Sequence, residues 1–131
     1  RGMKSLSVDL ARPEGQAAVH GVVRDADIVL DGMRPGIMKR LALDHASLRG
    51  VNPGIITLSL SAYGQAGPEA RLPGVDMVIQ GSSGIMMAQG APDQPVASTV
   101  AYVDVTTACM SVFGCLLGLI ARRRTGEGQH I

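Results

Sequence analysis

Ile55-Ile56-Thr57-Leu58-Ser59-Leu60-Ser61-Ala62-Tyr63-Gly64 is the stretch that decides the architecture. Its first six residues form a short apolar run between the turn Asn52-Pro53-Gly54 and a glycine-bearing loop, which reads as a well-buried strand. Upstream of it, Asp44 caps a helix running through Ala46 and Leu48 to Arg49, and Arg34-Pro35-Gly36 turns the chain into a short helix ending near Leu41. Asp27-Ile28-Val29-Leu30-Asp31 is another strand. Before it a helix starts at Arg12-Pro13-Glu14-Gly15, with Pro near its first turn and Ala17, Ala18, Val19, Val22 and Val23 on its apolar face. The segment Ser5-Leu6-Ser7-Val8-Asp9-Leu10 alternates polar and apolar residues and reads as a strand as well. Strand, helix, strand, helix, strand in this order predicts an α/β fold with a parallel sheet flanked by helices.

Downstream, the loop from Ser61 to Pro68 leaves directly from a buried strand, and ligands of open α/β sheets bind outside the carboxyl ends of strands. The Tyr63-Gly64-Gln65 turn reads equally well as a ligand cradle and as a plain glycine turn. A helix is expected from about Gly74 to Met87, then an irregular stretch over residues 88 to 103 with Pro92, Asp93 and Pro95 as turn formers. Val105 to Ala121 carries no Lys, Arg, Asp, Glu or His. One stripe of it is apolar (Val105, Ala108, Cys109, Val112, Phe113, Leu116, Leu117, Ile120), and another holds small residues (Thr107, Ser111, Gly114, Gly118). It falls about one turn short of the roughly 20 residues needed to cross a bilayer, so it reads as a buried helix of a soluble α/β domain. Arg122-Arg123-Arg124 complement its carboxyl end and Gly126 stops it.

Asp104 heads that helix. Its side-chain oxygens suit an N-cap, and the helix dipole favours a negative charge there. From position alone, a structural cap and a reactive carboxylate both remain open.

Composition narrows the field. The chain has 131 residues, enough for one ordinary domain, and begins on Arg1 and ends on His130-Ile131, which reads like the opening of a further strand. It is therefore expected to be a piece of a larger protein. A net charge of +1 gives no general attraction to nucleic acid or membranes, and 2% aromatic residues leave little for stacking on single-stranded bases. Cys109 and Cys115 point to different sides of one helix and do not pair, which fits a reducing, cytoplasmic setting. His20, His45 and His130 are scattered, no Cys or His spacing suits a metal, and neither a phosphate loop nor a Gly-x-Gly-x-x-Gly follows a strand. Arg34, Arg40, Lys4 and Arg12 flank the first two strands and, on spacing alone, read as solvated charges.

Several segments taken in order resemble the class III CoA-transferase family, which includes formyl-CoA and carnitine-CoA transferases and the α-methylacyl-CoA racemases. They are Arg1-Gly2-Met3-Lys4-Ser5-Leu6, Asp9-Leu10 with Pro13-Glu14-Gly15, Arg34-Pro35-Gly36 with Leu41, and Asn52-Pro53. Ser59 to Ser61, Tyr63-Gly64-Gln65-x-Gly67-Pro68, Pro73-Gly74-Val75-Asp76, Ser83-Gly84, Gly90-x-Pro92-Asp93 and Thr125-Gly126-Glu127-Gly128-Gln129 continue the series. Each is weak alone; their order and spacing span nearly the whole chain.

The resemblance implies a Rossmann-like domain, with residues 1 to 131 forming part of the large domain. The family's first strand and helix, its glycine-rich loop and its small domain lie outside these residues, so the piece alone is expected to be inactive. It implies an acyl-CoA and a carboxylic acid as substrates, coenzyme A as the carried group, no metal, and an interlocked homodimer. Asp104 falls where the family carries its acyl-accepting aspartate. Val8, Asp9, Leu10, Ala11, Met33, Arg34, Arg40, Ser61, Ala62, Tyr63 and Gly64 correspond to coenzyme A contacts, with Arg34 and Arg40 paired to phosphates. Backbone N–H groups at the start of the Asp104 helix are the expected oxyanion donors. Ala11 and Ser61 stand where some members have Lys, leaving Arg12 as a possible substitute for the first. Racemases of the superfamily carry His where this chain has Val75, which cannot move a proton. The resemblance thus favours a transferase over a racemase or a non-catalytic CoA-binding protein.

Overall fold

The computed structural model describes residues 2–131; Arg1, which opens the first matching segment, lies outside them. Two parallel strands form the centre: β1 (Ile28–Asp31) and β2 (Ile56–Ser59), paired Ile28 to Ile56 through Asp31 to Ser59. A third parallel line begins at the chain's end, as Thr57 N–H donates to Gln129 O and Ile131 N–H to Thr57 O. His130 thereby makes an isolated parallel bridge to Thr57.

Helix α1 (Pro13–Val23) starts with Pro in its first turn, where a missing N–H costs nothing. Asn52 fastens its far end: the Nδ2 group donates to Val23 O and Ala26 O at 3.1 and 2.9 Å, and Oδ1 accepts from Gly54 N–H. Short helices α2 (Ile37–Arg40) and α3 (His45–Arg49) follow β1 as expected. Asp44 occupies the N-cap position of α3, but its carboxylate accepts from the Ser47 hydroxyl instead of a backbone N–H. Val23, Leu43, Leu48 and Ile55 are the buried cluster beneath these elements, with Leu10, Val19, Val29 and Met38 packed against it.

Three expectations need correction. Residues 5–10 form no strand; they run as exposed or half-buried coil, because alternation supplies a face but no ladder partner among the described residues. The helix expected over 74–87 is two helices, α4 (Asp76–Ser82) and α5 (Ile85–Gln89), broken at Gly84, whose φ of 78° cannot continue a right-handed helix. The last helix, α6, runs Tyr102–Thr125: it ends before Gly126 as expected, but it starts two residues ahead of Asp104 instead of at it.

The packing of α6 also differs from the burial expected of it. Its small-residue stripe faces the sheet: Gly114 lies against Leu58 and Ile131, and Gly118 against Ile56 and Ile131. Only Cys115 and Gly118 are buried, whereas Phe113, Leu116 and Leu117 on the large-residue stripe are 50–65% exposed. A single sheet face offers one contact surface, and small residues let the backbones approach across it. The helix is long and apolar enough to cross a membrane by length and composition, with mean hydropathy 1.9 over its most apolar window. Gly126 ends it at φ 77°, its N–H donating to Arg122 O. Arg122 then reaches back, donating to Gly54 O at 3.0 Å and to the Asp27 carboxylate at 2.5 Å. This ties the helix end to the leading ends of both strands.

Candidate active site

β1 runs out into Gly32-Met33-Arg34 and β2 into Leu60-Ser61-Ala62, so the two loops meet at the carboxyl edge of the sheet. A cavity of about 210 Å³ between them is lined by Met33, Arg34, Ser61 and Ala62, with Leu72 and Pro73 across it. Gly32, Ser61, Ala62 and Gly74 also line a second cavity of about 520 Å³, whose far wall is Asp76, Val103, Asp104 and Thr107. The shared residues make the two hollows neighbours along one groove, from the Arg34 loop to the head of α6.

Asp104 is exposed in that groove. It is not the cap of α6: the helix begins at Tyr102, the N-cap position is Ala101, and Asp104 sits in the first turn. Its carboxylate accepts no hydrogen bond among the described residues, while its backbone N–H donates to Asp76 Oδ2 at 3.1 Å. The capping duty expected of Asp104 thus falls to Asp76, 28 residues earlier. The expected oxyanion donors of this turn are largely engaged. Tyr102 N–H donates to Val100 O, Val105 N–H to Ala101 O, and Asp104 N–H to Asp76.

The remaining positions divide. Tyr63 is half-buried, and a Cβ at Gly74 would meet its ring at 3.4 Å, which places it beside the groove. Gly64 takes φ 81°, a turn that favours glycine. Val8 and Asp9 lie apart, in a shallow hollow with Arg12, Glu14 and Gly15. There Asp9 holds Arg12 in an exposed ion pair at 3.4 Å and accepts from Ala11 N–H. Leu10 turns into the core cluster. Arg40 is exposed on α2 and lines neither groove cavity. Arg34 and Arg40 have no ion-pair partner among the described residues.

A family model described as CoA-transferase family III matches residues 1–131. The chain belongs to that family. It is similar to a succinate–glutarate CoA-transferase of Agrobacterium fabrum, 42% identical over all of this chain and 33% of the relative. It is also similar to an acetyl-CoA:oxalate CoA-transferase of Acetobacter aceti, 41% identical over all of this chain and 34% of the relative. Among solved structures, a CAIB/BAIF family protein from Brucella suis superposes with TM-score 0.93 at 39% identity, over all of this chain and 35% of that one. A hypothetical protein from Mycobacterium tuberculosis does so with TM-score 0.92 at 32% identity, over all of this chain and 38% of that one. The chain spans about a third of the length of the curated relatives it matches. The α/β fold of this family III chain is that of the family.

Two arrangements escaped the sequence reading. One is the contact of Asp76 with the head of α6. The other is on the sheet face away from α6, where Thr57 Oγ1 lies 3.0 Å from His45 Nδ1 and 2.9 Å from His130 Nδ1. A hydroxyl has one proton to donate, so at least one of these imidazoles donates from its Nδ1–H. The two histidines, scattered in the sequence, thus meet at one hydroxyl. No group of His, Cys, Asp or Glu suited to a metal occurs among the described residues. Burial, then His130 and Arg49, lower the His45 pKa below 6.5, and Asp44 opposes them. The unfolded chain therefore takes up this proton first as pH falls. The stabilisation from neutral His45 is present above about pH 6.5 and is lost as pH falls toward the folded value. Acid titration of the unfolding midpoint should show a decline in that window that His45→Gln flattens; an unchanged profile would count against it.

Proposed function

We propose that the protein to which these residues belong transfers CoA from an acyl-CoA thioester to a carboxylic acid, with Asp104 as the acyl-accepting nucleophile. The observation that carries this reading is the unpartnered Asp104 carboxylate, exposed at the end of a groove that begins at the family's Arg34-Pro35-Gly36 turn. Full-length coverage of this chain by CoA-transferases of similar sequence supports the class of reaction.

In this mechanism an Asp104 oxygen attacks the thioester carbonyl carbon. The C–S bond breaks, CoA leaves as thiolate, and the acyl group stays on Asp104 as a mixed anhydride. The thiolate attacks the Asp104 carbonyl, releasing the first acid and leaving an aspartyl-CoA thioester. The incoming carboxylate displaces CoA from it, and the thiolate then takes the new acyl group, freeing Asp104. Nothing is oxidised or reduced, and the thioester's energy is kept throughout.

Coenzyme A lies in this reading along the carboxyl edge of the sheet, touching Met33, Arg34, Ser61, Ala62, Tyr63 and Gly64, with Arg34 on a phosphate. Val8, Asp9, Leu10, Ala11 and Arg40 belong to the same proposed set, although they lie outside the two groove cavities. No metal takes part. The protein is a cytoplasmic homodimer in this reading, and residues 1–131 form part of its large domain.

Arg34→Ala in the full-length protein should raise KM for the acyl-CoA by about tenfold, the worth of one charge-assisted hydrogen bond, with kcat little changed. Steady-state kinetics read both constants, and an unmoved KM removes Arg34 from the coenzyme contacts. The reaction itself is tested by mass spectrometry of a mixture of acyl-CoA donors and free acids. New acyl-CoA species are expected; solvent deuterium at the α-carbon of the recovered donor, without exchange, would instead make the protein a racemase.

A further inference from the structure

The two carboxylates of the groove are bonded so differently that they hold different offices. Asp76, the first residue of α4, has both oxygens engaged: Oδ2 accepts the Asp104 N–H at 3.1 Å and Oδ1 accepts from Gln80 Nε2. Gln80 is fully buried, and its Oε1 accepts the Ser98 N–H at 2.9 Å. Both ends of that amide are used, so it cannot turn over without losing both bonds. Ser98 lies on the strand of coil that feeds into α6, and that helix has no side-chain cap of its own at Ala101.

We propose that Asp76, held by Gln80 and Ser98, is a positioning residue that sets the direction of the Asp104 side chain through the Asp104 backbone N–H. This rests on the reading of Asp104 as nucleophile. The first turn of a helix lacks internal partners for its N–H groups and frays. The bond to Asp76 fixes the peptide from which the Asp104 side chain springs. Attack on a thioester demands close placement, and a misplacement of about 1 Å costs on the order of a hundredfold in rate. In this role Asp76 acts through the Asp104 peptide and not on the substrate.

The test uses the full-length protein with Asp76→Ala and Asp76→Asn, read by steady-state kinetics and by hydrogen exchange at the Asp104 amide. Asp76→Ala should lower kcat by about a hundredfold, leave KM for the acyl-CoA within about twofold, and speed exchange at that amide. Asp76→Asn keeps a carbonyl oxygen for the N–H and should return kcat to within about fivefold of the parent. A lower melting temperature with unchanged kcat in Asp76→Ala would overturn the proposal, as would equal losses in both variants. If Asp76→Ala does not fold, Gln80→Leu carries the same test, with a smaller loss of kcat expected and none overturning it. Should the unsubstituted protein exchange no CoA, the transferase reading falls. The amide alone then decides the contact: faster exchange in Asp76→Ala upholds it, and unchanged exchange refutes it.

Discussion

Asp104→Asn in the full-length protein is expected to lower kcat for CoA exchange by at least about a thousandfold, with acyl-CoA binding within about twofold of the parent. The amide has nearly the shape of the carboxylate but cannot attack a thioester. The structure separates this effect from a folding defect. The Asp104 carboxylate accepts no hydrogen bond among the described residues, and the head of α6 is secured by Asp76. Removing the charge therefore leaves the helix start intact. If Asp104 were a structural group, the opposite pattern would appear, a lower melting temperature with kcat preserved. Rapid-quench kinetics and thermal unfolding on the same preparation distinguish the two.

The largest effect on stability is expected at Gly128. Its N–H donates to Pro53 O at 2.9 Å, and a Cβ added there would stand 1.9 Å from Ile55 O and 2.7 Å from the Gly54 carbonyl carbon. Those are backbone atoms at the entrance to β2, and they cannot turn aside as a side chain does. Gly128→Ala must push the turn after α6 away from the strand, at a cost of about 3 kcal/mol. Gly118→Ala is the control: its Cβ would meet the Ile56 and Ile131 methyl groups and the Gln129 amide nitrogen at 3.2–3.3 Å, side-chain atoms that can give. Its cost should stay near 1 kcal/mol. Denaturant unfolding of both full-length variants measures the difference, and equal midpoints would contradict the close approach described at Gly128.

Much of the fold was legible because it is written locally. The apolar run of β2, the Pro at the start of α1 and the Gly126 stop each act within a few residues, and each lies where the sequence puts it. The segment over residues 5–10 misled because period-two alternation describes a face, whereas a strand needs a neighbour to bond. Gly84 broke a helix that periodicity ran straight through, since periodicity is blind to a positive φ. The burial expected of α6 fails in part, since its large-residue stripe stays exposed. Both stripes were visible, but which one meets the sheet depends on how closely the backbones approach. The Asp76 contact and the Thr57 bridge between His45 and His130 join residues far apart in sequence, and no spacing rule reports such pairs. Only the ordered family motifs around Asp104 point to it as a nucleophile; position alone leaves a cap open as well, and the structure gives the capping contact to Asp76.

The most direct measurement is covalent. Full-length protein is incubated with an acyl-CoA donor, quenched with hydroxylamine or borohydride during turnover, digested, and its peptides mapped by mass spectrometry. Modification of Asp104 alone is expected, dependent on donor and absent from Asp104→Asn. Label on another carboxylate, or full turnover with Asp104 unmodified, would contradict it.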